Sequence, residues 1–201
     1  MKYLKLFKDL ASYEAWKNSE DFVLPNVVFN EETGSIFYAT NVAPSSPNVV
    51  CVYDVTDISR NTTILYGYAL RDVTRMIVDG IEMDAETYYQ FDTTGLHTVE
   101  FVLDDKTTIS NLWFRNVDNL VSIEIPDTVL SFGNNYSVIG SGNNNLKEIT
   151  FHSSIPPTGM FCEYPEDLLQ RGVVKYPKGS NYLSSVLFDQ FPDRYWTWVE
   201  F

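Results

Sequence analysis

The sequence predicts a mainly β protein in three parts: a small N-terminal β-α-β-β module over residues 1–42, an all-β module over 49–103, and a short, irregular leucine-rich-repeat solenoid with a C-terminal cap over 104–201. Three observations carry this prediction. A phrase, Leu-x-x-(Ile/Val)-x-(Ile/Phe), occurs as Leu96 to Phe101, Leu120 to Ile125 and Leu146 to Phe151, at spacings of 24 and 26 residues, and Val174-Lys175-Tyr176 repeats its ending 25 residues further on. That period belongs to stacked coils, each too small to bury its apolar face alone. Strand-forming residues are abundant, with 13 Tyr, 13 Phe and 4 Trp in a chain that is 44% hydrophobic, which excludes general disorder. Linker composition occurs once, at Ala43-Pro44-Ser45-Ser46-Pro47-Asn48, and sets the first boundary.

Each element follows in order. Tyr3-Leu4-Lys5-Leu6-Phe7 alternates as a strand, and Asp9 can cap a short helix whose Leu10, Tyr13 and Trp16 share one face. Val27-Val28-Phe29 and Ile36-Phe37-Tyr38 flank Glu32-Thr33-Gly34 and form a hairpin. After the linker, Val49 to Tyr53, Thr63 to Tyr66, Met76 to Val78, Tyr88 to Phe91 and His97 to Leu103 have strand character, with turns at Asp79-Gly80 and Asp92 to Gly95. In the solenoid, asparagine-bearing turns precede Leu120 and Leu146, and Ile123, Ile125, Ile149 and Phe151 are the expected core. Trp196-Thr197-Trp198-Val199-Glu200-Phe201 is the expected cap, sealing the core as a terminal strand rather than forming a sugar-stacking platform.

Composition bounds function. A chain of 201 residues can bury roughly 70% of its unfolded surface and needs neither metal nor disulfide to fold. A net charge of −13 disfavours nucleic acid, whose phosphates demand clustered Lys and Arg. No apolar run approaches the ~20 residues of a bilayer span, and the N-terminal apolar stretch, broken by Lys2, Lys5 and Lys8, does not form a signal peptide. Cys51 and Cys162 read as separate buried thiols of a chain folded in a reducing cytoplasm, where the sequons at Asn61 and Asn135 carry no glycan.

Candidate chemistry is thin. His97 and His152 fall in or just after repeat strands and read as ordinary strand residues rather than bases or ligands. Cys162 has no basic neighbour in sequence to activate it. Asp104-Asp105 and Glu82-Met83-Asp84 lack the oxygen spacing of a calcium loop and read as solvated turns. The Asn-rich stretch from Gly133 to Gly142 lacks the lysine of a phosphate loop. The expectation is therefore no catalytic residue, no metal site and no cofactor.

The segment Leu120-Val121-Ser122-Ile123-Glu124-Ile125-Pro126-Asp127-Thr128-Val129, with Ser131-Phe132-Gly133 after it, resembles the repeat of BspA-type leucine-rich repeat proteins. Ile155-Pro156-Pro157 and Val174-Lys175-Tyr176-Pro177-Lys178-Gly179-Ser180 are similar to that family's closing repeat. Ile77 to Gly80 together with Phe91 to Val99 resembles the β-module that often precedes such repeats. The Ala-Phe and Cys that usually separate the copies are missing around Leu112 to Asn116 and Tyr136 to Gly140, which favours a short, irregular stack. The resemblance implies a non-enzymatic structural or interaction protein of gut bacteria or their phages. Without a signal peptide, the expectation is a virion component, made in the host cytoplasm: a head fibre, capsid decoration or tail-associated adhesin, with residues 1–42 as anchor. Its expected partners are other virion or surface-assembly proteins, a host-surface glycan or protein, or further copies of itself, with no membrane insertion. The alternative is a bacterial surface adhesin.

Overall fold

The computed structural model describes residues 4–7, 26–30, 35–39, 48–110, 112–133, 137–162, 168, 170–191 and 194–201. Two compact units divide the chain, Met1–Pro44 and Ser45–Phe201. In the first, β1 (Leu4–Phe7) runs parallel to β2 (Asn26–Asn30), which turns back onto β3 (Ser35–Ala39). This is the expected hairpin, with Val27 opposite Tyr38 and Phe29 opposite Ile36. A parallel pair needs a crossover between its strands, and the helix expected after Asp9 falls there, outside the described residues.

The second unit is built on one eight-stranded sheet. Its antiparallel half comprises β4 (Val49–Val55), β6 (Val73–Val78), β7 (Ile81–Asp84) and β9 (Gly95–Leu103). Its parallel half comprises β11 (Leu120–Ile125), β13 (Glu148–Phe151), β14 (Gly172–Tyr176) and β15 (Trp196–Glu200). The strand order is β15-β14-β13-β11-β4-β9-β6-β7, so the halves meet where β4 lies antiparallel to β11, with Cys51 opposite Ile123 and Val50 opposite Glu124. Short pairs complete the set, β5 (Thr62–Thr63) with β8 (Tyr88–Tyr89) and β10 (Thr108–Ile109) with β12 (Ser131–Phe132).

The first copy of the repeated phrase is not a coil. Leu96 to Phe101 lies in β9, antiparallel to both β4 and β6, and β4 stands between it and the stack. Burial gives the physical reason. In β9, His97, Val99, Phe101 and Leu103 alternate inward, which turns Leu96 outward to 70% exposure, whereas Leu120 and Leu146 are fully buried at the coil corners. A leucine one residue before an inward position points away in a flat strand, and points inward only where the chain turns a corner.

The C-terminal region is a solenoid-like stack of about three turns. Each coil has three sides, seen as three parallel ladders: β11-β13-β14-β15 on one, Thr108, Ser131 and Thr158 on the second, and Phe114, Ile139 and Cys162 on the third. Ile123, Ile125, Ile149 and Phe151 fill the interior as expected, together with an aromatic column in which Phe151 touches Phe132, Phe161 and Tyr182. Gly172 lies flat against the Trp196 ring, where a Cβ would collide with the indole. Trp196 seals the last coil, 2% exposed, and donates its indole N–H to the Leu168 carbonyl at 2.8 Å.

Polar side chains finish the backbone where ladders end or turn. Asp72 accepts from the Ser110 amide (3.0 Å), the Ser110 hydroxyl (2.6 Å) and the Trp113 indole (2.9 Å) at the start of the stack. Gln190 stands in for a missing strand at its far end: its Oε1 accepts from the Phe161 and Cys162 amides at 2.7 and 2.9 Å, and its Nε2 donates to the Gly159 carbonyl at 3.2 Å. Asn143, 1% exposed, holds the corner between coils, donating to the Phe114 and Gly140 carbonyls at 3.1 and 2.7 Å and accepting from the Val117 amide at 3.3 Å. Replacing Asn143 with alanine strands these groups in the interior at about 1–3 kcal/mol each. Asn143→Ala is expected to cost at least about 3 kcal/mol in urea denaturation, while exposed Asn144→Ala stays within about 0.5 kcal/mol of wild type.

Candidate functional site

The eight-stranded sheet presents an outward face. Because side chains alternate along every strand and the registers align, one row crosses the whole sheet: Glu82, Ile77, Glu100, Val50, Glu124, Thr150, Lys175 and Val199 each lie opposite the next. A second row runs beside it through Thr98, Val52, Ser122, Glu148, Val173 and Thr197. The face mixes β-branched and charged residues, most of them half-buried.

The acids of these two rows are individually matched. Arg75 pairs with Glu82, Asn48 Nδ2 donates to Glu100 Oε2 at 3.0 Å, and Lys175 Nζ lies 2.7 Å from Glu148 Oε1. His152 Nε2 contacts Glu124 Oε2 at 3.0 Å, with the Phe201 ring edge-on to the imidazole. That histidine bond, helped by the Lys175 charge, holds the Glu124 carboxyl below its ordinary value against the opposing effect of burial. Such pairs contribute little stability in solvent, and their effect here is to fix which side chains the face displays.

His97 is 8% exposed and stacks on Phe91 at 4.4 Å between ring centres. Its Nδ1 meets Asp79 Oδ2 at 2.7 Å and its Nε2 meets the Thr93 carbonyl at 2.9 Å. Asp79 in turn accepts from the Thr98 amide at 2.9 Å. Asp79 and Gly80, with φ of 49° and 84°, form the expected two-residue turn between β6 and β7, of the primed type that demands positive φ at both positions. His97 therefore ties this turn to the one at Asp92 to Gly95. Burial opposes ionisation of Asp79, yet the His97 and Thr98 hydrogen bonds outweigh it and leave the carboxyl below its ordinary value.

The remaining candidates are engaged in structure. Cys51 and Cys162 are both buried, and burial pushes the Cys51 thiol far up. Asp105 accepts from the Thr107 hydroxyl and amide, which lowers its carboxyl. A polar cleft of about 160 Å³ lies where the β4–β5 loop meets the stack, lined by Asp57, Arg60, Asn61, Asn116, Asp118 and neighbouring residues. Asp57 is tied there to the Ser59 hydroxyl and amide, and Arg60 sits 3.3 Å from it. Among the described residues no group of three His, Cys, Asp or Glu side chains is placed to hold a metal ion. At the C-terminal end, Trp198 is half-buried against Tyr176, Tyr182, Phe188 and Phe191.

The polar residues with the largest structural roles, Asp72, Asn143 and Gln190, escape a search for catalytic motifs. Only Asn143 carries a sequence signal, its place in the asparagine-rich turn before Leu146.

A carboxyl held below its ordinary value stabilises the fold while ionised, fully above that ordinary value and progressively less as pH falls through the lowered one. Thermal melts are therefore expected to be level down to about pH 5, then to fall below the ordinary values of 4.5 for Glu124 and 3.8 for Asp79. Asp79→Asn and Glu124→Gln together should make that acid-side descent shallower, and an unchanged slope would contradict the role assigned to their histidine partners. Comparison of the chain with family models, with curated proteins and with solved structures finds no match.

Proposed function

We propose that this chain is a non-enzymatic structural and interaction protein, a component of a phage particle that uses the outward face of its second unit for attachment. The observation that carries the reading is the side-chain row that crosses all eight strands of the sheet, with a second row beside it across six of them. Eight strands make a face about 34 Å wide at the usual interstrand spacing, large enough to form much of one side of a standard protein interface. The face is rigid, because each strand is held in register by its neighbours, and its charges are pre-paired, so little side-chain ordering is needed on binding. The likeness of Leu120 to Gly133 and of Val174 to Ser180 to BspA-type repeats supports a role at the surface of a particle or cell. Residues 1–42 are the anchor in this reading, and the parallel coils and the antiparallel half together form the displayed part.

Mass spectrometry of gradient-purified particles is the direct test. The chain should sediment with the particles in fixed ratio to their structural proteins, and recovery only from the free soluble or cell-envelope fraction would overturn the particle assignment. Surface variants test the face itself. Particles carrying Val52→Arg, in the second row, are expected to attach to host cells at least tenfold more weakly, about 1.4 kcal/mol, with the melting temperature of the chain unchanged, whereas Asn144→Ala leaves attachment intact.

A further inference from the structure

The sheet order leaves β15 paired on one side only, and backbone parity identifies the groups that remain. The Gly172 amide donates to the Tyr195 carbonyl at 3.0 Å, the Phe201 amide donates to the Tyr176 carbonyl at 3.1 Å, and the Phe201 carbonyl accepts from the Lys178 amide at 3.0 Å. A residue in a parallel ladder turns its N–H and C=O to the same side, and successive residues alternate. Tyr195, Thr197, Val199 and Phe201 thus direct their backbone groups to β14. Trp196, Trp198 and Glu200 direct theirs to the open edge, where among the described residues no strand meets them.

Natural edge strands are guarded by lysine, proline or a bulge. β15 has no lysine, proline or bulge and a single charge, Glu200 at its last position: it reads Trp-Thr-Trp-Val-Glu and follows β14 without a register shift. The opposite edge differs, since β7 carries Glu82 and Asp84 within four residues. Apolar surface clusters at the β15 end. Val199 is 41% exposed and Phe201 49%, and Leu183 and Val186, in the turns whose Tyr182 and Phe188 rings touch Trp198, are 54% and 60% exposed.

We propose that β15 is a homodimerisation edge: two copies of the chain pair β15 antiparallel about a twofold axis at Trp198, which joins their sheets into one. The open positions are self-complementary, as such an interface requires. Trp198 faces its own counterpart and Trp196 faces Glu200, all in hydrogen-bonded positions, giving about six new backbone hydrogen bonds. Thr197 faces Val199 on the outward side, two β-branched, uncharged side chains well suited to cross-strand contact. Charge is compatible with this arrangement: in a chain of net charge −13, antiparallel pairing about Trp198 sets each Glu200 against a tryptophan rather than against a second carboxylate. A second copy brings the matching pattern of free backbone groups by construction, and the joining of the sheets does not depend on what the outward face binds.

Sedimentation velocity of the full chain tests this directly, with a concentration-dependent dimer expected. Two variants address the edge without touching the β14 ladder. Val199→Lys supplies the missing guard, and Glu200→Pro removes one amide that faces the open edge; each is expected to weaken the dimer at least tenfold with the circular dichroism spectrum unchanged. Register is read by cross-linking. Opposed residues in a non-hydrogen-bonded antiparallel pair lie about 4.5 Å apart at Cα, within disulfide range, and the native Cys51 and Cys162 are buried. Under mild oxidation, a mixture of Thr197→Cys and Val199→Cys chains should form a disulfide-linked heterodimer several-fold more readily than either variant alone. A chain that stays monomeric to ~100 µM, a dimer indifferent to both edge variants, or equal cross-linking by Thr197→Cys alone would overturn the proposal.

Discussion

The seam between β4 and β11 is the interaction on which the rest of the second unit depends. A parallel stack exposes the backbone of its first strand, and it needs a partner whose register and twist match. β4 supplies that partner from the antiparallel side: Val50 and Cys51 lie opposite Glu124 and Ile123, and the Asp54 amide extends the pairing to the Asn119 carbonyl at 2.8 Å. The register shifts between Leu120 and Ser122, just where the chain leaves a coil corner and enters the strand. That irregularity lets a corner leucine point inward while Ile123 and Ile125 keep the alternation of the sheet. With the seam in place, the two halves share one core, from Val49 and Phe101 through Trp113 to Ile149 and Val174.

The ends of the other two ladders are completed by single side chains. Asp72 and Gln190 each offer the hydrogen-bonding capacity of a short piece of strand, one at the first coil and one at the last. This is an economical solution for a short stack, because a whole capping repeat would add many residues to satisfy a few amides. Asp72, Asn143 and His97 are each held by several partners, and moving any of them exposes or orphans backbone.

Much of this architecture was legible in the sequence because local chemistry and global fold agree there. Asp79-Gly80 can adopt the positive-φ turn that it forms, the Val27 and Ile36 runs pair as the hairpin they resemble, and Leu120 and Leu146 begin coils. Leu96 misleads for a definite reason. The same six-residue phrase satisfies a flat alternating strand and a coil strand equally well, and only the neighbouring strands decide between them. Those neighbours, β4 and β6, come from earlier in the chain and leave no mark on residues 96 to 101. Gln190 and Asp72 are illegible for a related reason, since a glutamine or an aspartate in a turn has no local signature for a role about 30 or 40 residues away. The outward face could be anticipated only in part: strand alternation marks which side chains face out, but the rows exist only once the registers are set.

The position of β4 also has a consequence for the order in which the molecule can be made. Strands that turn directly into one another, such as β6 and β7, close small loops and can form as soon as they emerge. β4 cannot be finished so early. Its partners are β9 and β11, and Leu120–Ile125 follows Val49–Val55 by a long stretch of chain. At the usual rates of synthesis a ribosome needs several seconds to span such a gap. During that interval the sequence Val-Val-Cys-Val-Tyr-Asp-Val stands with one edge open, apolar and without a proline or lysine to guard it. The element that unites the finished fold is thus also the one most exposed to misassembly while the protein is being synthesised.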